Sequence, residues 1–300
     1  MKTSVSFPSD GDRISADLYL PEHLEAPVPA VVLGGGWCYV KELVQPTFAE
    51  AISDKGMASL VFDYRGFGES GGAPRQHINP WAQMEDYKNA ISYVMSRDEV
   101  DSARIGIWGI SYSGGHVIQL AATDARVKSS ASVVPVIDGY QNLRLAHGTA
   151  GFRRLNAAVS EDREKRWSGE EGGTLFHNPQ EPGGLATWPF PTSADMFREL
   201  KATDAPNYQG FATTVSTEWL LEYDVRNFAA RILDTAILFV LAEGDDHTHW
   251  DLALEAFRSV PAPERRLEVI RESTHQTIYR DQSRRSEAAA ICAEWFEATL

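Results

Sequence analysis

Arg104-Ile105-Gly106-Ile107-Trp108-Gly109-Ile110-Ser111-Tyr112-Ser113-Gly114-Gly115 runs from a short apolar segment straight into a serine set among small residues. A strand that ends in Gly-x-Ser-x-small places the serine on a sharp turn into a helix, with its hydroxyl at the sheet's carboxyl edge. The turn demands small neighbours two residues to either side; Gly109 supplies one and Ser113, where glycine is usual, the other. Gly114 and Gly115 let the new helix pack closely. A serine hydroxyl is a weak nucleophile unless a base holds it, so this turn predicts Ser111 as the nucleophile of an acyl reaction. A frame shifted by two residues makes Ser113 the nucleophile, flanked by Ser111 and Gly115; the strand running directly into Ser111 favours the first frame.

Outward from this turn the chain alternates. Residues 1–20 read as a hairpin at a sheet edge, Pro29 to Leu33 as a strand buried on both faces, and Met57 to Asp63 as another. Helical spacing covers Pro46 to Lys55 and Trp81 to Met95. Strand–helix alternation of this kind predicts a mostly parallel central sheet flanked by crossover helices. The rhythm fails from about Asp138 to Asp234, where charges, Gly/Pro clusters and recurring aromatics stand in a stretch too long for a loop. Residues 139–234 are therefore expected to be a mostly helical cap inserted into a catalytic domain of residues 1–138 and 235–300. The sheet resumes at Thr235 to Leu241, followed by a helix from about His249 to Val260, a strand from Arg266 to Ile270 and a last helix from about Ser283 to Ala298.

With these pieces in place the chain resembles the α/β-hydrolase superfamily along most of its length. Asp63-Tyr64-Arg65-Gly66-Phe67-Gly68-Glu69-Ser70 is similar to the D-x-R-G-x-G-x-S loop of many members, and Val31-Val32-Leu33-Gly34-Gly35-Gly36-Trp37 stands where they carry a strand and then His-Gly, with Gly35 at the histidine position. Trp108 to Val117, Leu241-Ala242-Glu243-Gly244-Asp245 and His275 resemble a subgroup of dienelactone-hydrolase-like and acetyl-xylan-esterase-like enzymes that includes polyketide acyltransferases and hydrolases. The resemblance implies the order nucleophile, acid, histidine. His275, a short loop beyond its strand, is the expected base, although Ser273-Thr274 precedes it where Gly-Gly is usual. Asp245 is the favoured acid; Asp246 is second and Asp138 third. The oxyanion donors are expected to be the backbone N–H groups of Tyr112 and, by the same resemblance, Trp37. Tyr39, Trp188 and His247 are candidate pocket residues.

Composition narrows the partners. A net charge of −14 argues against nucleic acid, because phosphates are repelled on average. No apolar run is long enough to span a membrane, and the first residues lack the apolar core of a secretory signal. Cys38 and Cys292 are far apart with no metal-ligand spacing, which suits a reduced, cytoplasmic chain. Asp245-Asp246-His247-Thr248-His249 is a compact group of ligand types, but no HExxH and no cysteine joins it, so neither a metal nor a cofactor is expected. A cap rich in Trp and Phe fits a small apolar or aromatic substrate, unless those rings fill the cap's own core; its apolar face would also serve a homodimer. The expected activity is ester or thioester hydrolysis. Acyl transfer on a polyketide-like substrate, carbon–carbon bond hydrolysis and a non-catalytic receptor on the same fold are the alternatives.

Overall fold

The chain enters through a hairpin. Asp10 (φ 47°) and Gly11 (φ 92°) form the two-residue turn between β1 (Lys2–Ser9) and β2 (Asp12–Tyr19), a left-handed pair whose twist matches that of the flanking strands. β3 (Val28–Gly34), α1 (Gln45–Asp54), β4 (Ala58–Phe62), α2 (Pro80–Met95), β5 (Val100–Ile110), α3 (Tyr112–Thr123) and β6 (Val127–Val133) follow in alternation. The computed structural model describes residues 1–300.

Beyond β6 the chain leaves the sheet for α4 (Gly139–Trp167), β7 (Thr174–Phe176), α5 (Pro191–Thr203), β8 (Phe211–Thr213), α6 (Thr214–Glu222) and α7 (Arg226–Ala229). α4 is broken at Gly148, whose φ of 61° and ψ of 177° no helix can hold. The antiparallel β7–β8 ribbon, paired from Thr174↔Thr213 to Phe176↔Phe211, was not expected; three-residue strands are too short for alternation to register. The sheet resumes with β9 (Ala236–Ala242), then α8 (Trp250–Ser259), β10 (Arg265–Ile270), α9 (His275–Arg280) and α10 (Gln282–Thr299). The short α9 is a second departure, since only a loop was expected before the final helix. Its Thr274–Thr277 capping box starts it locally, a signal present in the sequence but too short to show a helical period.

Eight strands make one sheet in the order β1-β2-β4-β3-β5-β6-β9-β10. β1 and β2 are antiparallel edge strands; from β4 to β10 every pairing is parallel. This is the α/β-hydrolase fold, a mostly parallel sheet covered by helices on both faces. Ala30, Val31, Val32 and Leu33 of β3 are wholly buried, as covering on both faces requires. Two consequences fix the site. β5 lies near the middle of the sheet, so the turn after it opens at the centre of the carboxyl edge, where such folds bind ligands. β9 and β10 end in register, Ala242 against Ile270, so the loops that follow them lie side by side.

Candidate active site

Ser111 sits between the end of β5 and the start of α3 with φ 57° and ψ −114°. A non-glycine residue at positive φ is strained, and such strain persists only where its surroundings over-determine it. Here the backbone is held on both sides: Ser111 N–H donates to the Val133 carbonyl and the Ser111 carbonyl accepts from Val136 N–H, both at 2.9 Å. The turn leaves no room for side chains beside it. A Cβ on Gly109 would lie 2.1 Å from the Ser113 carbonyl oxygen, and one on Gly115 would lie 2.3 Å from that of Val136.

Ser113 does more than fill the small position. Its hydroxyl donates to the Gly35 carbonyl, and its one proton being spent there, it accepts from the Tyr64 hydroxyl at 2.6 Å. The residue that replaces the usual glycine thus ties the Ser111 turn to the glycine loop after β3. The loop in turn leans on Ser111, since a Cβ on Gly36 would come within 3.1 Å of the serine's Cβ. Trp37 follows, buried, its indole edge-to-face against Tyr112 at 5.1 Å between centroids. Its backbone N–H has no acceptor within the protein. Tyr112 opens α3, where the first amides lack intrahelical partners. The two N–H groups expected to hold an oxyanion therefore flank Ser111.

The paired loops after β9 and β10 bring Asp245 and His275 together. Gly244 N–H donates to the Ser273 carbonyl at 2.8 Å, locking one loop to the other. His275 Nδ1 lies 2.9 Å from Asp245 Oδ2. The carboxylate also accepts from the backbone of His247 (2.9 Å) and Thr248 (3.0 Å) and from the Thr248 hydroxyl (2.8 Å). Burial alone would raise the Asp245 pKa, but the adjoining His275 and these donors outweigh it and bring it down to about 2. An ionised Asp245 fixes the proton of neutral His275 on Nδ1 and leaves Nε2 free. Asp138, the third candidate for the acid, is spent elsewhere: it caps α4 by accepting from Gln141 N–H at 2.9 Å and pairs with Arg226 at 3.0 Å. Asp246 makes a different bond, to His247 Nδ1 at 2.8 Å.

Ser111, His275, Trp37, Tyr39, Trp188 and His247 all line one cavity of about 350 Å³. Six further lining residues were not foreseen: His177, Asn178, Ser193, Met196, Phe197 and Thr248. Five of them come from the region between β6 and β9, where nothing in the sequence marks which side chains turn towards Ser111. Tyr279, on the unexpected α9, packs on His275 at 5.1 Å between centroids and meets Tyr39 at 5.8 Å. The aromatics of residues 139–234 divide between the two readings: Trp188 and Phe197 face the cavity, Phe152 and Tyr223 are packed into the core, and Trp167 is exposed. No Asp, Glu, Lys or Arg lines the cavity. Asp245, Asp246 and His247 each bring a ligand atom within 4.8 Å of the others. Those atoms are already engaged by His275, His247 and backbone N–H groups.

Known proteins share this chain's sequence pattern and its fold. A family model described as X-Pro dipeptidyl-peptidase (S15 family) matches residues 10–275. A thiohydrolase, aneE, of Aspergillus aculeatus is 30% identical over 284 residues, covering 90% of this chain and 84% of its own. The quorum-quenching protein AidA of Acinetobacter baumannii is 41% identical over 157 residues, a match that spans only about half of each chain (52% and 51%). Among solved structures, DcsB in complex with its substrate analogue superposes with a TM-score of 0.84 at 24% identity, covering 100% of this chain and 99% of that one. No helix is long and apolar enough to cross a membrane.

Proposed function

Because this chain belongs to the X-Pro dipeptidyl-peptidase (S15) family and is a serine hydrolase of α/β-hydrolase fold, we propose that it cleaves an ester or thioester of a small, largely apolar acyl group through Ser111, His275 and Asp245. The observation that carries this reading is the shared cavity: Ser111 on its strained turn and His275, held at Nδ1 by Asp245, open on the same small space. Ser111 Oγ attacks the carbonyl carbon while its proton passes to His275 Nε2. The N–H groups of Tyr112 and Trp37 hold the oxyanion. Collapse of the tetrahedral intermediate breaks the bond to the alcohol or thiol, which leaves with the proton from His275. Water then attacks the acyl-serine, gives its proton to His275, and the acid departs as Ser111 recovers it.

The lining favours such a substrate over a dipeptidyl one. A free α-ammonium needs a carboxylate or several strong acceptors when it is taken out of water, and no carboxylate lines this cavity. The thiohydrolase relative, similar over 90% of this chain, points the same way. The test is a fluorophosphonate probe, with the labelled peptide sequenced, beside turnover of N-acetylcysteamine thioesters of two to ten carbons and of Gly-Pro p-nitroanilide. Labelling at Ser111 and faster turnover of a thioester are expected. Labelling elsewhere, or preference for the anilide, overturns the reading.

A further inference from the structure

A second hydrogen-bonded chain of the same three residue types crosses the cavity wall. Asp246 Oδ1 meets His247 Nδ1 at 2.8 Å, and His247 Nε2 meets Ser193 Oγ at 2.8 Å. Ser193 lies in the first turn of α5, and both it and His247 are buried and line the cavity with Ser111. His247 stacks in parallel with His275, the planes 2° apart and the centroids at 5.1 Å, and on Phe190 at 3.6 Å, so its orientation is fixed.

Counting protons settles what this chain presents. A carboxylate only accepts, so His247 Nδ1 must carry a hydrogen. Burial pushes the His247 pKa down, against the pull of Asp246, and keeps the ring neutral with Nε2 bare. Ser193 must then give its only proton to Nε2, and its oxygen has only lone pairs left to offer. Asn178 adds a second acceptor. Its Nδ2 donates to the Trp188 carbonyl at 3.2 Å, which fixes the amide's orientation, and its Oδ1 is buried with no partner. Donors stand in the same lining: the indole N–H groups of Trp37 and Trp188 are buried and unpartnered. Buried polar groups left unpaired cost about 1–3 kcal/mol each, and a ligand able to both donate and accept relieves the cost on both sides. A hydroxyl is such a group; an ether only accepts, and an ammonium only donates and has no carboxylate to meet in the lining.

We propose that Ser193, oriented by His247 and Asp246, together with Asn178 forms a hydroxyl-recognising subsite, so that the acyl group this enzyme prefers carries a hydroxyl. The proposal rests on the function inferred above and names the acyl class within it. Asp246 and His247 are positioning residues: they act through Ser193 by setting the direction of its proton.

Recognition is measured apart from turnover. Ser111→Ala protein is titrated, by tryptophan fluorescence, with hexanoic acid and with its 3-, 4-, 5- and 6-hydroxy derivatives. At least one hydroxy acid is expected to bind about tenfold or more tightly than hexanoic acid, since a site built to bond a hydroxyl rejects the analogue that lacks it. Ser193→Ala placed in the same background should reduce that ratio to within about threefold. Asp246→Asn, which keeps Ser193 but lets the imidazole proton sit on Nε2, should reduce it as well; a Ser193 that merely pins α5 would not respond to that change. Equal binding of hexanoic and hydroxyhexanoic acids, or a ratio untouched by Ser193→Ala, overturns the subsite. Failure of wild-type protein to label at Ser111 while the binding preference persists would instead overturn the hydrolytic reading and leave the subsite standing.

Discussion

Replacing Ser113 tests whether the hydroxyl at the glycine position holds the oxyanion loop in place. In Ser113→Ala the Gly35 carbonyl loses its one hydrogen-bond donor and the Tyr64 hydroxyl loses its only acceptor, both in a fully buried setting. Each unpaired buried group costs about 1–3 kcal/mol, so a loss of about 3 kcal/mol is expected. With an unfolding entropy of about 2.1 cal/mol/K per residue, a chain of 300 residues should then melt about 5 °C lower. The effect on rate follows from the loop. Gly35 lies two residues before Trp37, and losing an oxyanion donor outright costs about 10²–10³ in kcat; a donor that is loosened rather than lost should cost about tenfold. Ser113→Gly restores the commoner motif without restoring the tether, so its kcat should fall with that of the alanine variant. Tyr64→Phe leaves the Ser113–Gly35 bond in place and should lower the melting temperature by only a degree or two. The assays are thermal melts and steady-state turnover of the best thioester. Wild-type kcat and melting temperature in Ser113→Gly would refute the tether and make Ser113 a passive small residue.

Four further outcomes are expected. Asp245→Asn should lower kcat by about 10⁴, the scale seen when a triad imidazole loses its tautomer control, measured with the same thioester; a loss under tenfold would remove Asp245 from the acid's role. Gly109→Ala should abolish fluorophosphonate labelling of Ser111, because its Cβ would lie 2.1 Å from the Ser113 carbonyl oxygen; full labelling would mean that the turn is not the strained one described. His116 and His177, both buried, are held down to about 3 by burial. The unfolded chain therefore binds more protons than the native one below about pH 6.5. Stability should fall as pH drops from there towards 3, by at most about 1.4 kcal/mol per pH unit per histidine; urea melts at pH 7 and 5 check this, and His177→Asn should shrink the difference. Asp245 carries the usual sign for an acid with a depressed pKa of about 2: its contribution is present above about pH 4 and disappears between 4 and 2, a window in which Asp245→Asn should show a shallower acid limb.

What the sequence disclosed follows from how local each signal is. The turn at Ser111 is written in consecutive residues, and its strand, its small neighbours and its helix all lie within a dozen positions. The sheet was legible because strands buried on both faces must be continuously apolar, as Ala30 to Leu33 and Ile237 to Leu241 are. Pairing Asp245 with His275 required only that two strands run parallel and end together. Favouring Asp245 over Asp246 was a matter of pattern; in the structure Asp245 meets His275 and Asp246 meets His247. The stretch between β6 and β9 was another matter. Asn178 lies in irregular chain and Ser193 and Phe197 on α5, and which side chains face the cavity depends on how α5 lies over α9, through bonds such as Gln276 to Thr192 at 2.7 Å. No periodicity records a contact of that range.

That division bears on what each part contributes. Strand ends fix Ser111, Asp245 and His275 to one rigid sheet, which is what a reaction needing sub-ångström placement demands. The polar groups that line the cavity from the other side, Asn178 and Ser193, stand on chain inserted between β6 and β9. The two sides meet at His247, which follows Asp245 by two residues, stacks on His275 and bonds α5 through Ser193, so that a single side chain couples the sheet's loops to the inserted chain.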